Sequence, residues 1–352
     1  MIILMINLLI VAGSSFMAEY MKFKSKFHEK YFICIAAMSL IIVSGFRYGV
    51  GTDYMAYYKG YISAPADLFE DAKDVGFLVI NKLLNYISSN PQMIFLVTSI
   101  VINICVILFL YRNSVKFSLS IYFYITTFTY YSSMNGVRQF LATSIILLSY
   151  RYMINRQFIK YVIYVLIAST IHGAALVMIP IYFLVNQKIY SVRNLAITGA
   201  AVFTYIFFEL VFSWLVNSFE RFSEYNDYLF IEGQGVNILR VIVLLAPVIA
   251  IIMIIKMKNI SVDKELQVII NLCLIGSLFM FLAYRHMFIA RFCIFFEFYY
   301  LLLIPRLCVM FDKKTNRLMT FSLMILYFIY STMLLGSGDC RILPFKFNLT
   351  IF

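Results

Sequence analysis

Three stretches of this chain carry side chains suited to chemistry on an anionic or sugar ligand. The first is Phe46-Arg47-Tyr48-Gly49-Val50-Gly51-Thr52-Asp53-Tyr54, followed by Tyr57 and Tyr58. It sets a cation, a carboxylate and several phenols on a backbone that two glycines free for tight turns. No strand precedes it, so it is not a nucleotide-binding fingerprint; a polar turn without a ligand is the competing reading. The second is Asn135-x-x-Arg138-Gln139, in which Asn135 reads as a helix N-cap and Arg138 as either a phosphate ligand or a snorkelling cation. The third is Ile171-His172-Gly173, where the imidazole is able to move protons near neutral pH or merely to turn the chain. Arg285-His286 and Arg291 add cations further along, with headgroup anchoring as their alternative, and Glu297 is an intramembrane carboxylate suited to neutralising one of them. Guanidinium forks match phosphate oxygens two at a time, so several such groups in one place point to a phosphate-bearing ligand.

What must position these residues is a membrane domain. Of 352 residues, 63% are hydrophobic and only 13% charged, and the mean hydropathy is +0.88, which excludes a soluble domain of ordinary composition. Apolar runs approach the roughly 20 residues a helix needs to cross a bilayer, while the alternation of a membrane barrel is absent. The formal charge of +12 is scattered over short loops and not gathered on one basic face, so it reads as a topology signal and not as a nucleic-acid surface. The six cysteines give neither a disulfide framework nor a thiolate metal site, and the acidic residues lack metal-ligand spacing; no metal and no cofactor are expected. The first apolar run has no Lys or Arg before it and has Lys22, Lys24, Lys26 and Lys30 after it, which argues against a cleaved signal peptide.

Placing the Lys22 to Lys30 loop in the cytoplasm by the positive-inside rule orients the rest. The expectation is an all-α polytopic integral membrane protein of about 12 transmembrane helices with short or re-entrant segments, forming a single transmembrane domain over residues 1–352. External segments fall at about 47–76 and 217–235. One crossing is expected between residues 76 and 111, with Phe77 to Ile87 interfacial or re-entrant; Phe158 to Val185 splits at His172 into two short spans; Leu195 to Val216 is one span. Most Lys and Arg then face the cytoplasm. Arg47, Asp53, Arg138, His172, Arg285, His286 and Arg291 all come to the extracytoplasmic ends of different spans, where charge is usually kept only to line a water-filled or ligand-filled site.

At these residues the chain resembles the EpsG family, a branch of the Wzy-type polysaccharide polymerases. Arg47-x-Gly49-x-Gly51-x-Asp53-Tyr54 with Tyr57 is similar to its first external motif, Asn135-x-x-Arg138-Gln139 to its second, His172 before the run Ala174 to Pro180 to its third, and Pro344-Phe345-Lys346 to its closing segment. Ala174-Ala175 departs from the small hydroxyl residue common after the histidine. The resemblance implies a membrane glycosyltransferase, within which a GT-C-like architecture is admitted. It would act in the bacterial cytoplasmic membrane on the extracytoplasmic face, joining undecaprenyl-diphosphate-linked oligosaccharide repeats during capsule or exopolysaccharide biosynthesis. Its partners would be those lipid-linked oligosaccharides, membrane lipid and other polysaccharide-assembly proteins, with no nucleic acid. In that reading Arg47, Arg138, Asn135, Gln139, Arg285 and Arg291 bind substrate, and His172 or Asp53 takes the acceptor proton. A flippase or transporter of lipid-linked oligosaccharide, a polysaccharide ligase and an acyltransferase are the alternatives. A carrier needs access from both sides, whereas these polar groups gather on one.

Overall fold

A computed structural model describes residues 1–63, 74–218 and 235–348. Among them every regular element is helical, and the one β-type pairing is an isolated antiparallel bridge between Arg47 and Phe347. The acidic residues Asp67, Glu70 and Asp71, and the mixed stretch from Glu220 to Glu232, lie outside the described residues. The chain divides into two compact units: Met1–Ile179 with Ile304–Phe352, and Pro180–Leu303.

In the first unit, α1 (Ile2–Met21) and α2 (Lys26–Gly45) form a hairpin. The Ser25 hydroxyl starts α2 by accepting from the His28 N–H. Next come α3 (Tyr54–Ile62), α4 (Val75–Ile87) and α5 (Gln92–Asn113). Pro91 precedes α5, where a missing N–H is harmless, and Asn90 Oδ1 accepts from the Gln92 N–H at 3.0 Å. Beyond it lie α6 (Phe117–Thr126), α7 (Thr129–Ser132), α8 (Val137–Leu148), α9 (Tyr150–Ile154) and α10 (Phe158–Ile171). Packing runs from α1 to α2 to α5 to α8 to α10, with α6 against α1 and α4 against α10.

A 3₁₀ turn, Gly173–Val177, leads into α11 (Met178–Val185), so the break expected at His172 is present. In the second unit α12 (Val192–Ile206) and α13 (Phe208–Ser218) are bent by 97° at Phe207, where a single span was expected. Then come α14 (Ile238–Lys258), α15 (Lys264–Ala283) and α16 (Ala290–Val309), the last ending in the first unit. The unit has a buried polar centre: Asn271, 0% exposed, donates to the Val185 and Gln187 carbonyls at 2.8 Å and accepts from Asn194 at 2.8 Å. The chain returns to the first unit for α17 (Lys313–Gly336), which packs on α6 and is capped by Asp312.

Among the described residues seven helices are long and apolar enough to cross a bilayer, or eight if the bent pair counts as one span. That figure counts helices of spanning length alone, whereas the expectation of about 12 transmembrane helices included short or re-entrant segments. Val75–Ile87, Phe117–Thr126, Val137–Leu148, Phe158–Ile171 and Gly173–Val185 are apolar but short. At 1.5 Å per residue none reaches the roughly 30 Å of a hydrocarbon core. α6 does not continue into α7 because Phe128 adopts φ +75, a left-handed conformation that a bulky residue rarely takes and that stops the helix.

Candidate active site

The polar ends of the first unit meet where α2 and α10 finish and α5 and α8 begin. The Arg47 loop leaves α2 and is held from three sides. Gln92, at the start of α5, donates through Nε2 to the Gly45 and Arg47 carbonyls at 2.7 and 3.1 Å. The closing segment runs alongside: Tyr48 N–H donates to Lys346 O at 2.9 Å, Asn348 N–H to Phe46 O at 2.8 Å, and Gly51 N–H to Arg341 O at 3.1 Å. Asn135 joins the pieces, accepting from the Thr52 N–H at 2.6 Å and the Thr52 hydroxyl at 3.0 Å while donating to Cys340 O at 3.2 Å. It was expected to cap α8, but the cap position is Gly136, and the Asn135 amide is turned to the other two segments. Gly51 is required here twice over. Its φ is +109, and a Cβ would stand 2.8 Å from Asn135 Oδ1.

Arg47 is 2% exposed. Its Nη2 donates to Met134 O at 2.8 Å, its Nη1 to Ser44 O, and the guanidinium lies 4.8 Å from the Phe95 ring centroid. Burial lowers its pKa to about 10, opposed by the neighbouring Tyr54, Tyr130 and Tyr57, so it is still a cation at neutral pH. Phe95 also stacks on Tyr54 at 4.3 Å. The arginine thus ties the end of α2 to the turn before α8.

Arg138 has the opposite surroundings. Its side chain is 42% exposed, and Nη1 donates to Asp74 Oδ2 at 2.9 Å. His172 Nδ1 stands 3.4 Å from the same oxygen, on a side chain 26% exposed, and the Gly173 N–H donates to Asp74 Oδ1 at 2.9 Å. One carboxylate therefore gathers the second and third motif blocks. Burial works against ionisation of Asp74, but the hydrogen bonds from His172 and Gly173 and the charges of His172 and Arg138 outweigh it and lower the pKa. Asp74 itself takes φ +68, a left-handed conformation to which Asp and Asn are best suited among residues with side chains. Gly76 lets α4 approach the end of α10: a Cβ there would lie 2.5 Å from Thr170 Oγ1 and 2.8 Å from Thr170 O. Tyr57 completes the cluster. Its hydroxyl accepts from the Arg138 N–H at 3.4 Å, and burial raises its pKa, so it stays protonated.

The remaining predicted residues fall as follows. Asp53 sits at the start of α3 and is half-buried; its carboxylate accepts from the Thr52 hydroxyl at 3.2 Å. Gln139 is buried on α8. Arg285 and Arg291 belong to the second unit. Arg285 Nη2 pairs there with Glu209 and lies between the Tyr205 and Phe208 rings, each 5.7 Å away; Arg291 lies 5.4 Å from the Phe288 ring. His286 is 7% exposed and accepts the Phe288 N–H at its ring nitrogen.

Two residues central to this geometry were not singled out in the sequence. In the sequence Asp74 is one carboxylate of the external segment expected at about 47–76. Its signal was the combination Asp74-Val75-Gly76 immediately before an apolar helix, an acidic helix start followed by a residue fit for close approach. Gln92 follows Asn90-Pro91, a dipeptide that by itself signals only a break in the chain.

Apolar helices of spanning length, with polar groups collected where α2, α5, α8 and α10 end or begin, define a multi-pass helical membrane protein with an arginine–aspartate–histidine cluster. The model of the EpsG family matches residues 30–347, nearly the whole chain, and the protein belongs to that family. Membership places it among membrane proteins of polysaccharide biosynthesis. No curated protein and no solved structure matches the chain significantly.

Proposed function

We propose that the protein is an extracytoplasmic polysaccharide polymerase, a glycosyltransferase that joins undecaprenyl-diphosphate-linked oligosaccharide repeats for a capsule or exopolysaccharide. The observation that carries this reading is that Arg138 and His172, from separate motif blocks of a chain in the EpsG family, meet on one carboxylate while both stay partly open. The exposed edge of the Arg138 guanidinium takes the donor diphosphate and stabilises the charge that grows on it as the glycosidic bond breaks. The hydroxyl at the end of the second repeat attacks the anomeric carbon. A C–O bond forms, the bond from carbon to phosphate oxygen breaks, and lipid diphosphate leaves with the electron pair. The hydroxyl proton passes to His172 Nε2, the nitrogen turned away from Asp74.

Within this reading Arg47, Asn135 and Gln139 build the floor of the site, and Asp53 stands at the head of α3 beside Thr52. The positive charge between α1 and α2, from Lys22 to Lys30, supports an extracytoplasmic site in the cytoplasmic membrane. The test is reconstitution with purified lipid-linked repeat and a ladder readout. Parent protein is expected to give ladders, with Arg138→Ala and His172→Ala each reducing them by roughly 10²-fold or more. Undiminished laddering in both variants overturns the site. A deletion strain that holds its single repeat units on the cytoplasmic leaflet overturns the function in favour of a flippase.

A further inference from the structure

Asp74 lies outside all the motif blocks, and the reaction just described gives it no part. Its placement is nevertheless the most constrained of any ionisable group in the cluster. Its backbone is left-handed, Gly76 presses the following helix onto Thr170, and its two oxygens are committed to different partners. Oδ1 receives the Gly173 N–H, and Oδ2 faces both Arg138 Nη1 and His172 Nδ1. The same carboxylate thus holds the backbone of the 172–173 turn and the ring carried on it.

We propose that Asp74 is the positioning residue of the site: its carboxylate fixes the neutral imidazole of His172 with the proton on Nδ1 and the lone pair on Nε2, and ties that base to the phosphate-binding Arg138. An ionised carboxylate accepts hydrogen bonds and donates none, so the ring nitrogen facing it carries the hydrogen. The direction of the Asp74 pKa, lowered despite burial, keeps the group in that acceptor state. Among the described residues the titratable and charged groups facing His172 are few. Asp74 comes from the start of α4, and Arg138 from α8 by way of Asp74; Tyr57 and Asp53, at the head of α3, stand beside Arg138 and not against the ring. On α10 the titratable side chains Lys160, Tyr161 and Tyr164 lie toward the other end of the helix. Among the described residues the tautomer is therefore set by one. Sharing Oδ2 also couples the two functions: an anion that engages Arg138 competes for its N–H groups and leaves more of that oxygen to the imidazole.

The catalytic consequence rests on the polymerase reading, whereas the tautomer does not, and the two are measurable apart. The chain has only three histidines, His28, His172 and His286, so ¹⁵N-histidine labelling of the full-length protein in lipid nanodiscs gives an assignable spectrum, with His172→Gln identifying the signal. At about pH 8, where an ordinary imidazole is neutral, His172 is expected as the Nδ1–H tautomer. Asp74→Asn suits the left-handed backbone and still accepts from Gly173 through its oxygen, but it turns an NH₂ group toward the ring. The expected result is a switch to the Nε2–H tautomer, together with loss of laddering by roughly 10²-fold or more. An Nε2–H tautomer in the parent overturns the proposal whether or not the variant folds, as does parental laddering by Asp74→Asn. The Nδ1–H tautomer in a parent protein that makes no polymer supports the positioning role and sinks the polymerase reading instead.

Discussion

Arg47 and Arg138 come from two motif blocks that look equally fit to grip a phosphate, and the fold gives them opposite neighbourhoods. Arg47 is 2% exposed, with backbone carbonyls as its hydrogen-bond partners and aromatic rings around it. Arg138 is 42% exposed and shares a carboxylate with a histidine. A guanidinium whose donors go to buried carbonyls is a fastening, because removing it leaves those oxygens without partners. One that keeps an open edge beside an ionised acid is free to exchange partners with a ligand. Residue type is the same in both; the surrounding acceptors decide the role.

The largest effects should separate the two. Arg138→Ala is expected to keep a monodisperse protein with a near-parental melting temperature while laddering falls by roughly 10²- to 10³-fold. Arg138→Lys should recover only part of that, since a point charge lacks the planar fork. Arg47→Ala is expected to do the reverse and lose about 2 to 5 kcal/mol of stability, for two buried carbonyls left unpaired. That appears as a lowered melting temperature in detergent and poor recovery on size exclusion. An Arg47→Ala protein that melts like the parent yet makes no polymer would return Arg47 to the substrate side and erase the contrast.

The loop that carries Arg47 holds a second, smaller comparison. Gly49 and Gly51 both have positive φ, +62 and +109, but only Gly51 is crowded, with Asn135 Oδ1 2.8 Å from its would-be Cβ. Gly49→Ala carries the backbone penalty alone, about 1 kcal/mol. Gly51→Ala adds a clash with the amide that joins three segments, and should lose roughly 2 to 3 kcal/mol. Chemical denaturation of the two variants side by side checks the order; equal losses would mean that Asn135 yields without harm.

These contrasts mark what the chain's chemistry reveals before folding and what it does not. Long apolar runs such as Gln92 to Asn113 announce helices, and Ile171-His172-Gly173 announces a break, because hydropathy and backbone freedom are local properties. Loop charge brought the Arg47 and Arg138 blocks to one face, and family resemblance marked the closing block, but neither showed their contacts, since Asn135 reads locally as a cap and acts instead on Thr52 and Cys340. The 97° bend at Phe207 had no glycine or proline to signal it. Asp74 is hidden by distance along the chain. Its role is set by His172, 98 positions away, and by the close approach at Gly76, and no periodicity in the sequence encodes a partner at that distance.

The smallest effect concerns Asp74 and pH, and it distinguishes the two arginines once more. Asp74 has a folded-state pKa below the ordinary carboxylate value of 3.8, so its ionised form is favoured in the folded protein more than in the unfolded chain. Its stabilising contribution is full above that ordinary value and is lost as pH falls through it toward the depressed one. The melting temperature of the parent should therefore drop more steeply than that of Asp74→Asn between about pH 5 and pH 3. In an Arg138→Ala background the difference should shrink, because one of the charges holding the carboxylate ionised is gone. In an Arg47→Ala background that still folds it should persist, since Arg47 bonds to carbonyls and not to this acid. Equal acid sensitivity of parent and Asp74→Asn would mean that the shared carboxylate contributes nothing to the folded state, and the line drawn between fastening and site would have to rest on activity alone.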